Sequence, residues 1–163
     1  MKIIFLDIDG VLNTDRYISF QKNHNVGQII FDPEAMKNLK FLVESTNSNI
    51  VISSTWRIHY ESNEKLWRDL GRNFNEYHLN ERIIGITPVH DKNLKTSIRW
   101  KEIEHWLSIN EEKVIESFVI LDDEWDMGIY ARRFVRCQAY KGLTDDLREK
   151  AEVILNTPCN SDY

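Results

Sequence analysis

Cysteine is nearly absent: Cys137 and Cys159 are the only two among 163 residues. No C-x-x-C pair occurs, and Cys159 sits in a polar stretch, so neither a zinc site nor a disulfide framework is expected. Long apolar runs are missing too. Ile3-Ile4-Phe5-Leu6 falls far short of the roughly 18 residues a membrane span needs, and it is too short for the apolar core of a signal peptide. The expectation is a cytoplasmic chain with no membrane partner. Basic residues are not in excess either: 21 Lys and Arg against 26 Asp and Glu leave a net charge of −5. That argues against broad, non-specific adhesion to nucleic acid, though a local basic patch remains compatible with it. The five histidines form no H-x-x-x-H pair.

What is present is an ordinary globular mixture, 42% hydrophobic and 29% charged. At about 150 residues per domain the length suits one domain, read here as a core over 1–155 and a loose C-terminal tail over 156–163. Strand and helix patterns alternate. Lys2 to Leu6 reads as a strand buried on both faces. Asp32-Pro33 reads as a helix cap, followed by Ala35, Met36, Leu39, Leu42 and Val43 on one helical face. Ile50 to Ile52 is a second strand. Leu66 to Phe74 is a helix interrupted at Gly71, and Ile83 to Ile86 a third strand. A helix is expected from about Ser97 to Ser108, a strand over Phe118 to Leu121, and a short strand at Phe134-Val135. A last helix, capped by Thr144, carries Leu147, Ala151, Ile154 and Leu155. Thr14 to Phe31 is polar and irregular, a flap or loop insertion. The pattern predicts a Rossmann-like α/β/α fold with a mostly parallel central sheet and no large cap domain.

Open sheets of this kind bind ligands at the carboxyl ends of their strands. There the chain places Asp7-Ile8-Asp9-Gly10, then Ser53-Ser54-Thr55-Trp56-Arg57, then Asp122-Asp123 with Asp126 close behind. Carboxylates gathered from two strands repel one another unless a cation lies among them, and hard oxygen ligands point to Mg²⁺. Asp7, Asp9, Asp122 and Asp123 are the expected metal set.

The run Asp7-Ile8-Asp9-Gly10-Val11-Leu12 resembles the first motif of the haloacid-dehalogenase-like (HAD) phosphotransferases. Ser54 resembles the second motif and Asp122-Asp123 the acidic fourth. The set Ile-Ser-Ser-Thr-Trp-Arg, Arg99-x-x-Glu102-Ile103-x-x-Trp106-Leu107, Leu121-Asp122-Asp123 and Gly142-Leu143-Thr144 is similar to small HAD domains of RNA-repair proteins, themselves like the phosphatase half of polynucleotide kinase-phosphatases. The resemblance runs from Met1 to about Leu155. It implies a Mg²⁺-dependent phosphohydrolase in which Asp7 attacks phosphorus and Asp9 is the general acid/base, with the Asp9 backbone carbonyl on the metal. Ser54 would bind a phosphoryl oxygen, and a cation near Arg99 would neutralise another; Lys95 and Lys101 compete with Arg99 for that role. Arg57 and Trp56 are the expected substrate-binding residues, with Tyr17 and His59 as further candidates for stacking on a base or holding the strand.

Plainer readings stand beside these. Asp-Gly is a common turn, Ser54 and Asp122-Asp123 could cap helices, Ser53 is the alternative register for Ser54, and Arg57 could be an ion-pair partner. Trp67, Trp100 and Trp106 sit at core spacings. The expected substrate is a phosphoester, an RNA or DNA end, and a kinase or ligase, fused or a separate partner, is compatible with it. The rivals are a small-molecule phosphatase or nucleotidase on the same core, and a phospho-accepting or binding domain without turnover. A signalling receiver would need its phosphorylated Asp after the third strand, and none follows Ile86. Oligomeric state is left open.

Overall fold

Four apolar residues in succession have no wet face to offer, and the chain buries them on both sides of a sheet. In the computed structural model, which describes residues 1–24, 27–60, 64–91 and 97–159, β1 spans Lys2–Leu6, and Ile3, Ile4, Phe5 and Leu6 are fully buried. It is the central strand. β2 (Ser48–Ile52) pairs with it on one side and β4 (Ser117–Asp122) on the other. β3 (Ile83–Ile86) and β5 (Phe134–Arg136) form the edges, so the order is β3-β2-β1-β4-β5 and every pairing is parallel. Parallel strands need crossovers, and helices supply them on both faces.

Side chains of β1 alternate between two cores. Ile4 and Leu6 join one that includes Met36, Leu39 and Leu42 of α2 (Pro33–Thr46), Leu70 and Phe74 of α3 (Lys65–Glu76), and Ala151 and Leu155 of α5 (Asp145–Leu155). Ile3 and Phe5 face the other, with Ile103 and Trp106 of α4 (Arg99–Ser108), Phe118 and Met127. Phe5 meets Trp106 and Phe118 edge-on at 5.4 and 5.7 Å. At about 2–3 kcal/mol per buried large side chain, these two cores clamp the central strands whose ends carry the acidic residues.

Several expectations need correction. The stretch from Thr14 to Phe31 is not merely irregular: Thr14 caps a helix, α1 (Asp15–Asn23). Arg16 of α1 pairs with Asp32 at 2.8 Å and Glu34 at 2.6 Å. Gln21 bonds the backbone of Ile30, and Asn73 that of Ile29 and Phe31. Polar side chains therefore hold this segment, which apolar periodicity could not register. α3 runs unbroken through Gly71, where no neighbour lies within 4 Å of the missing Cβ. Nor is the C-terminal stretch loose through Cys159. The buried Arg133 guanidinium donates to the carbonyls of Ile154, Thr157 and Pro158, and Cys159 N–H donates to Glu116 O. Residues 160–163 of the expected tail lie outside the described residues. Thr144 begins α5 with extended backbone, but its hydroxyl turns to Asp146 and caps no N–H.

Candidate active site

β1 ends by handing Asp7 to the carboxyl edge, where its N–H still bonds Leu121 O at 2.9 Å, so the strand register places its side chain beside β4. The chain then turns tightly: the N–H groups of Val11, Leu12 and Asn13 all point to Ile8 O, and Ile8 N–H bonds Asp7 Oδ1 at 2.8 Å. Gly10 adopts φ of +77°, and a Cβ there would collide with the Asp123 carboxylate. The Asp-Gly pair is thus more than a turn: glycine lets the β1 loop lie against the β4 loop.

This approach brings Asp7, Asp122 and Asp123 together, each offering a carboxylate oxygen within 4.8 Å of the others. Among the described residues no other group of three His, Cys, Asp or Glu side chains comes as close. Arg99, at the start of α4, faces two of them, its Nε 3.0 Å from Asp122 Oδ2 and its Nη2 3.9 Å from Asp7 Oδ1. The closer approach lacks hydrogen-bond geometry, leaving Arg99 Nε and Asp122 Oδ2 buried without a hydrogen-bond partner.

Burial pushes the Asp7 carboxyl up to about 6, against the pull of Arg99, the Ser54 hydroxyl and Ile8 N–H. Asp122 is pushed up to about 8 by burial and by Asp7, with Arg99 again opposing. Burial and Glu124 raise Asp123 as well. Although burial opposes its charge, Arg99 is held above the usual arginine range by Asp122 and Asp7. One arginine does not neutralise three acids. Three oxygen donors, one of them buried and unbonded, fit a divalent cation such as Mg²⁺.

The fourth expected carboxylate stands apart. Asp9 is exposed, and its oxygens accept hydrogen bonds from Asn13 Nδ2 at 2.8 Å and Trp56 Nε1 at 2.9 Å. Ser54 is fully buried at the end of β2 beside Asp7, whereas Ser53 continues the sheet pairing to Leu6 O and receives a hydrogen bond from Thr87 Oγ1. Asp126 is turned away to hold Gly128 N–H.

Two substrate-binding expectations are overturned by burial. Trp56 is 4% exposed, edge-on to Phe31, so its ring offers no face to a base; its indole N–H holds Asp9 instead. The Arg57 guanidinium is buried and fully engaged, donating to Thr87 O, Ser54 O and Glu102 Oε2. Glu102 in turn accepts from Ser97 Oγ and His90 N–H. This pair ties the Ser54 turn, the end of β3 and α4 together. Sequence reading gave no role to Glu102, yet Arg99 and Glu102 are three apart, one helical step on a shared face. Asn13, which holds Asp9 and keeps a buried, unbonded Oδ1, carried no comparable signal.

Other candidates fall outside the cluster. Lys101 is exposed and lies over Trp100, and Lys95 lies outside the described residues. Tyr17 stacks on Phe20, and His59 Nδ1 lies 2.6 Å from Glu64. Trp106 is buried as expected, while Trp67 and Trp100 are half-buried against the two cores.

No curated protein and no solved structure matches the chain. Residues 3–147, from β1 through the trio and into α5, match the family described as the HAD domain in Swiss Army Knife RNA repair proteins, and to that family the chain belongs.

Proposed function

We propose that the protein is a Mg²⁺-dependent phosphohydrolase that removes a terminal phosphate from an RNA strand through an aspartyl-phosphate on Asp7. Family membership supports hydrolase chemistry of the phosphatase type. The observation that carries the finer reading is the meeting of Asp7, Asp122 and Asp123 at the strand ends with Arg99 against them.

Asp7 and Asp123 would hold the cation directly and Asp122 through water or Arg99; when bound, the cation supplies positive charge to offset the carboxylates and the phosphoryl oxygens. Asp7 Oδ attacks phosphorus, the bond to the ester oxygen breaks, and Asp9 gives that oxygen a proton. Asp9 then takes a proton from water, the resulting hydroxide attacks the same phosphorus, and the bond to Asp7 breaks to release phosphate. Trp56 and Asn13 orient Asp9 for both transfers. Ser54 and Arg99 meet the phosphoryl oxygens, where positioning and charge do most of the work.

An open site suits a strand end. The cavity lined by Thr55, Ser97, Arg99, Glu102 and Glu124 is about 100 Å³, well below the roughly 300 Å³ at which pockets enclose ligands of drug size. Removal of a 3′-phosphate leaves the hydroxyl end that a ligase consumes, so the activity fits a repair sequence in which a ligase acts next.

The test is a phosphate-release panel with and without Mg²⁺: 3′- and 5′-phosphorylated RNA and DNA ends, and mononucleotides. The expected result is metal-dependent release, highest from the RNA 3′ end and abolished in a folded Asp7→Asn variant, whose amide cannot attack phosphorus. Near-normal turnover by Asp7→Asn refutes the covalent mechanism; a preference for mononucleotides selects the nucleotidase reading.

A further inference from the structure

Tryptophan is the costliest side chain to leave in water, and four of the five in this chain avoid it: Trp56 and Trp106 are buried, Trp67 and Trp100 half-buried. Trp125 is 81% exposed. It lies two residues beyond Asp123, in the connection leaving the carboxyl end of β4. Its indole is nonetheless held. The Arg136 guanidinium lies over the ring, 3.2 Å from its centroid, which leaves the opposite face open to solvent.

Arg136 is itself anchored to the site. It ends β5 in register with Asp122, and its Nε donates to Asp123 O at 3.4 Å. Neighbouring strands run about 4.8 Å apart, so the arginine beneath the indole is one strand from the trio. An exposed aromatic face, backed by a cation and linked to the carboxylates through one backbone carbonyl, has the chemistry of a nucleobase platform. Every base has a face that stacks on an aromatic ring, and an arginine nearby attracts the flanking phosphate. β5 is an edge strand, so a strand can pass on this side without entering the core.

Resting on the phosphatase reading, we infer that Trp125, backed by Arg136, stacks the base of the terminal nucleotide of the RNA strand whose phosphate is removed at Asp7. This replaces Trp56 and Arg57, which are buried, as the base- and strand-holding residues. Specificity then comes from the presence of a base, with little dependence on which base, because stacking is tolerant of sequence.

The experiment compares kcat/KM for a 3′-phosphorylated RNA oligonucleotide with that for the same oligonucleotide carrying an abasic terminal nucleotide. Wild type should prefer the base-bearing end. Trp125→Ala should reduce that preference by about tenfold, the usual order for losing one base–aromatic contact, mainly through KM. Trp125→Phe should retain most of it. A loop-supporting role would lower both substrates together, so an unchanged ratio in Trp125→Ala overturns the platform while hydrolysis of both ends keeps the phosphatase reading. If wild type hydrolyses neither end, the phosphatase reading fails first and the platform falls with it.

Discussion

Asp122 Oδ2 is buried, lies against Arg99 without a hydrogen bond, and shares its surroundings with two more carboxylates. Unfolded, Asp7 and Asp122 titrate near 3.8; folded and metal-free they are raised to about 6 and about 8. Between those values the folded chain keeps protons that the unfolded chain has released, so stability drains away as pH rises from 4 to 8. An asparagine does not ionise. The melting temperature of metal-free Asp122→Asn, relative to wild type, should therefore climb between pH 5 and pH 8, by on the order of 5 °C. Mg²⁺ at pH 8 should narrow the gap by stabilising the wild-type trio. Thermal melts across pH check this, and a pH-independent difference contradicts the raised carboxyl.

The two neighbouring aspartates should also separate in metal affinity. Asp123 is half-buried and lies against Gly10, while Asp122 is engaged by Arg99 and by Glu124 N–H. With Asp123 as the direct ligand and Asp122 acting through water or Arg99, Asp123→Asn should raise the Mg²⁺ needed for half-maximal rate about 10-fold or more, and Asp122→Asn by less. Magnesium titrations of both variants give the ranking, and the reverse order removes the assignment.

At the scale of elements, α4 matters more for what its first turn carries than for its apolar face. Arg99 and Glu102 bring one charge to the trio and one to Arg57. Removing Arg57 alone leaves Glu102 buried, still bonded by Ser97 and His90, but without its direct ion-pair partner, since Arg99 faces the trio. Arg57→Met should cost about 3–5 kcal/mol of stability. The double variant Arg57→Met, Glu102→Leu should recover much of that, because two apolar side chains need no partner. Activity should not recover with it, since the tie between the Ser54 turn and α4 is gone. Denaturant melts and kcat of the single and double variants separate the two effects, and full return of kcat in the double variant shows the pair to be structural only.

For the whole molecule, a net charge of −5 limits how many phosphates the surface can neutralise at once. Arg136 is exposed, but Arg57, Arg99 and Arg133 are occupied by carboxylates or carbonyls. RNA binding should therefore weaken with salt along a shallow slope, roughly 0.7–1.4 in log Kd against log salt, corresponding to one or two single-strand phosphate contacts. Affinity of Asp7→Asn for a 3′-phosphorylated oligonucleotide at three ionic strengths measures it, and a slope several times steeper would reveal a basic groove that the charge does not suggest.

The strands, their parallel arrangement and the identity of the acidic residues were legible in the order of residues alone. Buried strands such as Ile3–Leu6 and Phe118–Leu121 are continuous apolar runs, and a polar residue that ends such a run must lie at the sheet's edge. Asp7 and Asp122 were legible for that reason. That Asp9 stands outside the trio, that Arg99 rather than Lys101 faces it, and that Trp56 and Arg57 are supports became visible only in the packed chain. So did the hold of Arg16, Gln21 and Asn73 on α1 and on Ile29 to Asp32. Several of these outcomes depend on a polar contact between residues far apart in the chain, as from Trp56 to Asp9 or Arg57 to Glu102. A polar residue's identity states what it can bond; burial alone states whether it must, and burial is a property of the packed molecule.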